Sequence, residues 1–295
     1  MIICYTIGGI GNQMFIYAFG AAVSAKYNKE LKFDITDFNH KKYKNFNIEG
    51  FVLDKIFDIK IVKANFFDFF KIFGFGYPLL KMKYKINLNN FFKNVIPEKQ
   101  LFKYDQDLLN LKNENIYFYG WWQNYIFPML EEKQLRKSFT FNLNNINDYS
   151  IKLAKKIQKQ NSVSIQVRLG DYLDNKETNS IYGICNKKYY IKSIDKISKL
   201  VKNPVFYVFS DQPEKLSSYK IFDDFNIVNV NVNENSWNDM YLMSKCKYNI
   251  IANSTFGWWG AWLNNYNKKI VIAPKNWFAN GTKTPDLIPK SWLKL

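Results

Sequence analysis

Histidine occurs once in these 295 residues, at His40, which is too few imidazoles for a His-built zinc site and allows a Ser-His-Asp triad only if that residue supplies it. Acid and base chemistry therefore falls to carboxylates or to a substrate. Cysteine is nearly as scarce. Cys4, Cys185 and Cys246 are far apart, odd in number and without CxxC spacing, which excludes a disulfide framework and predicts reduced, buried thiols of a cytosolic protein. The opening MIICYTIGGIGNQ has no basic stretch ahead of its apolar residues, so it does not read as a signal peptide. No apolar run is long enough to cross a bilayer; the strongest, from Phe66 to Leu80, is broken by Asp68, Lys71, Gly74, Gly76 and Pro78.

Arginine is the other rarity: of 42 basic residues only Arg136 and Arg168 are arginine. An arginine kept against such a lysine bias marks a place that needs a planar, two-pronged, permanently charged donor. What is abundant is apolar and basic, with 47% hydrophobic residues, 18% aromatic, and a formal charge of +17. The apolar content suffices for a packed core and excludes disorder. The charge predicts attraction to phosphates, nucleic acid or an anionic bilayer without choosing among them.

Residues 1–6 predict a buried strand. Gly8-Gly9-Ile10-Gly11-Asn12-Gln13 then opens a helical pattern running to about Tyr27, and Leu31–Ile35 predicts a second strand. The region 36–150, rich in Phe, Lys and Asn, gives no assignable rhythm. Beyond it, strands are predicted at Val163–Arg168, Val205–Phe209, Ile227–Val232, Tyr248–Ala252 and Ile270–Ala273, with helices at Lys187–Leu200, Pro213–Tyr219, Trp237–Lys245 and Thr255–Asn264. This alternation predicts an α/β protein of two Rossmann-like domains, 1–150 and 151–295, with a ligand cleft between them at the carboxyl ends of the strands.

Four motifs sit where a strand becomes a turn or helix. The glycine turn at 8–13 reads either as a plain tight turn or as a place where Gly9, Gly11, Asn12 and Gln13 meet a sugar or other polar substrate; it is neither GxGxxG nor a Walker motif. In Ser164-Ile165-Gln166-Val167-Arg168-Leu169-Gly170-Asp171, Arg168 can take a diphosphate through two parallel hydrogen bonds, and Asp171 can orient it or contact a sugar hydroxyl; a structural Arg–Asp pair is the plainer reading. Ser210 and Asp211 read as helix caps ahead of Pro213, or as groups that meet a nucleoside, Asp211 accepting from a guanine. Asn253-Ser254-Thr255-Phe256 begins a helix whose hydroxyls and N–H groups can cradle a phosphate, while Trp259 and Trp262 read as core. Asp105-Gln106-Asp107 has the form of a metal-holding acidic pair, but no other acid cluster supports it.

Taken together, GGIGNQMFIYAFG, SIQVRLGDY, YVFSDQ and NDMYLMSKCKYNIIANSTFGWWGAWLN resemble glycosyltransferase family 11, the α-1,2-fucosyltransferases, in family order along the chain. The resemblance implies a GT-B-like fold, GDP-L-fucose as donor, a galactose-terminated glycan as acceptor, inversion to an α-1,2 link, and no obligatory metal or other cofactor. It implies donor contacts at Gln166, Arg168, Ser210, Asp211, Asn253, Ser254, Thr255 and Phe256, and a catalytic part for Arg168 and Asp171. Where the family motif is usually His-x-Arg-Arg-Gly-Asp, Gln166 replaces the histidine and Leu169 the second arginine; Gly257 replaces a common serine. Gln166 can hydrogen-bond a ligand but cannot titrate near neutral pH. Another GDP-sugar donor, a basic nucleic-acid-binding protein and an inactive sugar-binding relative are the alternatives. The excess lysine reads as a solvated surface, or as a contact with the anionic inner face of a bacterial membrane.

Overall fold

The computed structural model describes residues 1–39, 50–76, 92–112, 114–170, 176–228 and 235–295. His40, Asp171 and the end of the strand predicted at Ile227–Val232 lie outside them. The chain forms two compact units: Met1–Thr140 with Pro285–Leu287, and Phe141–Thr284 with Ile288–Leu295. No described helix is long and apolar enough to cross a membrane.

In the first unit the elements are β1 (Ile2–Tyr5), α1 (Ile10–Tyr27), β2 (Leu31–Asp34), α2 (Leu53–Ile56), α3 (Phe66–Phe73), β3 (Val95–Pro97), β4 (Ile116–Tyr119), α4 (Ile126–Leu130) and α5 (Glu132–Ser138). The strands form a wholly parallel sheet in the order β2-β1-β4-β3. Every residue of β1 is fully buried, which is why this strand has no polar alternation: a parallel strand covered on both faces reads as one apolar run. Asn28, in left-handed backbone at φ 50°, ends α1. Asp286 returns to this unit, its N–H donating to Phe102 O and its carboxylate accepting from Tyr104 N–H.

The second unit comprises α6 (Asp148–Gln158), β5 (Ser162–Val167), α7 (Lys176–Tyr182), α8 (Lys187–Leu200), β6 (Val205–Ser210), β7 (Asn226–Val228), α9 (Trp237–Lys245), β8 (Tyr248–Ile250), α10 (Thr255–Trp262), β9 (Val271–Ala273) and β10 (Leu293–Lys294). Its six strands are also all parallel, ordered β10-β9-β8-β5-β6-β7, with the entirely buried β5 inside. The helix predicted at Pro213–Tyr219 is a 3-10 helix. Two tyrosines of α8 tie the strand ends down: Tyr189 OH donates to Ile251 O (2.6 Å) and Tyr190 OH to Gln166 O (3.1 Å). Both phenols are buried, which pushes their pKa well above the ordinary value and keeps them as donors.

Candidate functional site

The register of the second sheet decides what stands beside Arg168. Val167 of β5 pairs with Ser210 of β6, so the next residue on each strand, Arg168 and Asp211, leave the sheet side by side. The Arg168 guanidinium meets Asp211 Oδ2 at 2.8 Å, and Asp211 Oδ1 accepts from Leu169 N–H at 2.9 Å. One carboxylate thus braces both the side chain and the turn that follows it. A Cβ at position 170 would fall on Asp211 Oδ2, so Gly170 is required for this closure. Asp211 therefore orients the arginine; Asp171, to which the sequence offered the same task, lies outside the described residues. Ser210 Oγ accepts from Gln212 N–H (3.1 Å), a local turn bond.

On the other side of β5, Ile165 pairs with Ile250 of β8, which brings Gln166 to the end of that strand. Gln166 Oε1 accepts from Ala252 N–H (3.3 Å), and its amide lies against Gly257 in the first turn of α10, where a Cβ would overlap Oε1. Because an N–H can only be answered by the oxygen, this bond fixes which way the amide faces. α10 starts at Ser254 without a side-chain cap from that residue and without an acidic residue in its first turn, so the helix's own first turn brings no anionic side chain to its leading N–H groups. Thr255 and Phe256 at this end are partly exposed.

Asn253, expected as a donor ligand, has a different task. Its Nδ2 donates to Tyr182 O (2.9 Å), Gly183 O (3.2 Å) and Trp277 O (3.1 Å), and its Oδ1 accepts from the Cys185 thiol, so the buried amide clamps loops. Trp258 and Trp259 are fully buried, as core residues.

In the first unit, Gly8 has φ +78° and a Cβ there would strike Asn12 Nδ2, so only glycine fits. Gly9, the residue before α1, faces open space, whereas Gly11 is buried. Gln13 is not presented to a ligand: it is fully buried, donating to Gly8 O (3.0 Å) and Gly50 O (2.7 Å) and accepting from Val52 N–H (3.1 Å). Asn12 is partly exposed and accepts from Gln123 Nε2 at 2.9 Å.

Gln123 is a neighbour the sequence did not reveal. It follows Trp122, whose backbone is left-handed at φ 55° and whose ring stacks on Phe19 at 3.9 Å. A bulky residue holds that conformation only where its surroundings over-determine it. Here Glu98 Oε2 accepts from Trp121 N–H (2.7 Å) and Trp122 N–H (3.2 Å). Burial raises the Glu98 pKa against those two bonds, which pull it down. Asp34 and Asp37, also unmarked in the sequence, are buried at the end of β2. Asp34 accepts from Tyr117 OH (2.6 Å) and Thr36 Oγ1 (2.7 Å), and Asp37 from Tyr5 OH. Asp105 and Asp107 face Lys99 at 3.4 and 3.9 Å, and Asp105 Oδ1 accepts from Asp107 N–H, so this pair caps a 3-10 turn. Among the described residues no three His, Cys, Asp or Glu gather to hold a metal.

The comparisons with known proteins bear out the family resemblance. The profile described as Glycosyl transferase family 11 matches residues 70–295. An α-1,2-colitosyltransferase of Escherichia coli is 37% identical over 304 residues, spanning 100% of this chain and 99% of its own length. The O-antigen biosynthesis glycosyltransferase WbnK, also from Escherichia coli, is 31% identical over 312 residues and 98% of each chain. Among solved structures, the fucosyltransferase NodZ from Bradyrhizobium superposes with a TM-score of 0.55 at 13% identity, covering 88% of this chain and 90% of its own. NodZ, an α-1,6-fucosyltransferase, co-crystallised with GDP gives 0.54 at 12% identity, covering 88% of this chain and 91% of that one. At such identity the likeness is one of fold, and the fold is GT-B-like. With a relative 37% identical from end to end and a family match over most of its length, this chain belongs to glycosyltransferase family 11.

Proposed function

We propose that the protein transfers a 6-deoxy-L-sugar from a GDP donor to the 2-hydroxyl of a terminal galactose, forming an α-1,2 link with inversion and without a divalent cation. The single observation that carries this reading is the Arg168 guanidinium held by Asp211 at the carboxyl end of β5, in a chain that otherwise uses lysine almost throughout. A guanidinium fixed by a carboxylate is pre-aimed, so little reorganisation is needed when charge develops on a leaving group.

In the proposed reaction the acceptor oxygen attacks the anomeric carbon and the bond from that carbon to the β-phosphate oxygen breaks. The electron pair leaves with GDP, and the acceptor hydroxyl gives its proton to water. Through an oxocarbenium-like transition state the larger task is neutralising the departing diphosphate. Arg168 would do this with the N–H groups of Thr255 and Phe256 and the Ser254 and Thr255 hydroxyls at the uncapped start of α10. Asp211 is then a positioning residue that keeps the guanidinium in place. Gly9 and Asn12 of the first unit are assigned to the acceptor sugar, with Gln123 holding Asn12.

Fucose is the donor sugar implied by the family resemblance, and colitose, its 3-deoxy counterpart, is favoured by the 37% identical relative named for it. Turnover of GDP-fucose, GDP-colitose, GDP-mannose, UDP- and CDP-sugars with a galactose-terminated acceptor, with and without chelator, tests donor and metal together. The expected result is turnover with a GDP-6-deoxy-sugar that chelator leaves unchanged. Transfer from a UDP-sugar, or abolition by chelator, would overturn it.

A further inference from the structure

The helix α3 is apolar on both faces, and its burial is the reverse of what its sequence suggests. Its one acid, Asp68, points inward: it accepts from Lys32 Nζ at 2.8 Å and forms a reciprocal capping box with Asn65. Burial opposes ionisation of this carboxyl, but the Lys32 and Asn65 bonds outweigh it and hold its pKa below the usual value. With Phe69, Ile72 and Phe73 also buried, the helix rotation is fixed, and Phe66, Phe67 and Phe70 are left facing out at 57%, 73% and 42% exposure. Phe75, just beyond the helix, is 95% exposed and edges onto Phe70. The outward rings contact one another, Phe66 lying against both Phe67 and Phe70. Four phenylalanines gathered at one surface are not the scattered apolar residues that any protein shows.

We propose that this face is a docking surface for an anionic lipid bilayer, with the phenyl rings entering the boundary between headgroups and acyl chains. Charge selects this occupant. The stretch from Phe69 to Pro97 holds no acid, and its described lysines, Lys71 and Lys93, are exposed; Lys81, Lys83 and Lys85 lie outside the described residues. The exposed Lys71 adjoins the rings. The formal charge of +17 favours a negative surface and opposes association with a second copy of the same chain. Rings for the interface with lysines for the headgroups is the pairing by which a short helix holds to a membrane without spanning it. The assignment does not depend on which donor or acceptor the enzyme uses.

The test is flotation of the full chain with vesicles of phosphatidylcholine alone and of phosphatidylcholine with phosphatidylglycerol. Wild type is expected to float with the anionic vesicles, less as salt rises, and the Phe67→Ser, Phe70→Ser, Phe75→Ser triple variant to bind at least about tenfold more weakly. Transfer to a soluble acceptor should be unchanged in that variant. As a second measurement, Phe75→Cys carrying a polarity-sensitive dye is labelled selectively because the three native thiols are buried; its emission should shift to the blue on anionic vesicles. Wild-type binding by the triple variant, no binding by wild type, or a dye that stays in water overturns the proposal. So does a dimer that the triple substitution splits while vesicle binding remains absent.

Discussion

The side-chain oxygen of Gln166 occupies the space that a Cβ at Gly257 would need, so the two positions are sterically one unit. Gly257→Ala must push the amide away from Ala252 N–H, leaving a buried donor unanswered, and is expected to cost about 1–3 kcal/mol. The paired change Gln166→Ala with Gly257→Ala removes the collision, so the double variant should lose markedly less than the two single losses added together. Urea unfolding of the four proteins measures this coupling; strict additivity would show that the positions are independent.

Arg168 and Asp211 supply the second prediction. Arg168→Lys keeps the charge but loses the fork, and turnover should fall by about 10²-fold or more with the fold intact. Asp211→Asn can still answer Leu169 N–H but releases the guanidinium, so GDP binding should weaken with a smaller loss of stability. Gly170→Ala, which forces Asp211 aside, should reproduce that phenotype. The readouts are kcat, KM and GDP affinity by calorimetry.

The pH dependence of stability should carry a contribution from Glu98. Burial raises its folded pKa above the ordinary glutamate value, so as pH climbs the unfolded chain releases the proton first. The stability that Glu98 gives is complete below the ordinary glutamate value and is lost as pH rises through its higher folded value. Glu98→Gln keeps an acceptor for Trp121 and Trp122 N–H. It should be at least as stable as wild type at neutral pH and lack that decline, seen by thermal unfolding from acid to neutral pH.

The thiols should be inert in the folded state. Cys4, Cys185 and Cys246 are buried, and burial pushes the Cys185 pKa up to about 12 against a backbone hydrogen bond from Asn253 that lowers it. Iodoacetamide at neutral pH should leave all three unmodified until denaturant is added. Mass spectrometry of intact protein reads the outcome.

Legibility in the sequence followed burial. β1 and β6 are near-continuous apolar runs because both faces are covered, β5 alternates valine and isoleucine with small or amide residues, and the glycine turn at 8–13 marks the start of α1, so these are read directly. β3 and β4, of three and four residues, are lost among phenylalanines and asparagines that also build loops and α3. α6 is hard to read because its apolar stripe is thin: Lys152, Lys155 and Lys156 equal in number its buried residues Ser150, Ala154 and Ile157, one of which is polar. Arg168 was conspicuous by rarity, but its partner Asp211 lies far along the chain and is brought to it by strand register, which no local pattern encodes. The polar amides misled: Gln13 and Asn253 have the right chemistry for a ligand, yet their hydrogen bonds are spent on backbone carbonyls.

Where the diphosphate lies decides whether Arg168 neutralises the leaving group. A crystal structure with bound GDP should show the pyrophosphate within hydrogen-bonding distance of the Arg168 guanidinium and of the first N–H groups of α10, with Asp211 still on the arginine. A pyrophosphate bound out of reach of the Arg168 guanidinium would contradict it.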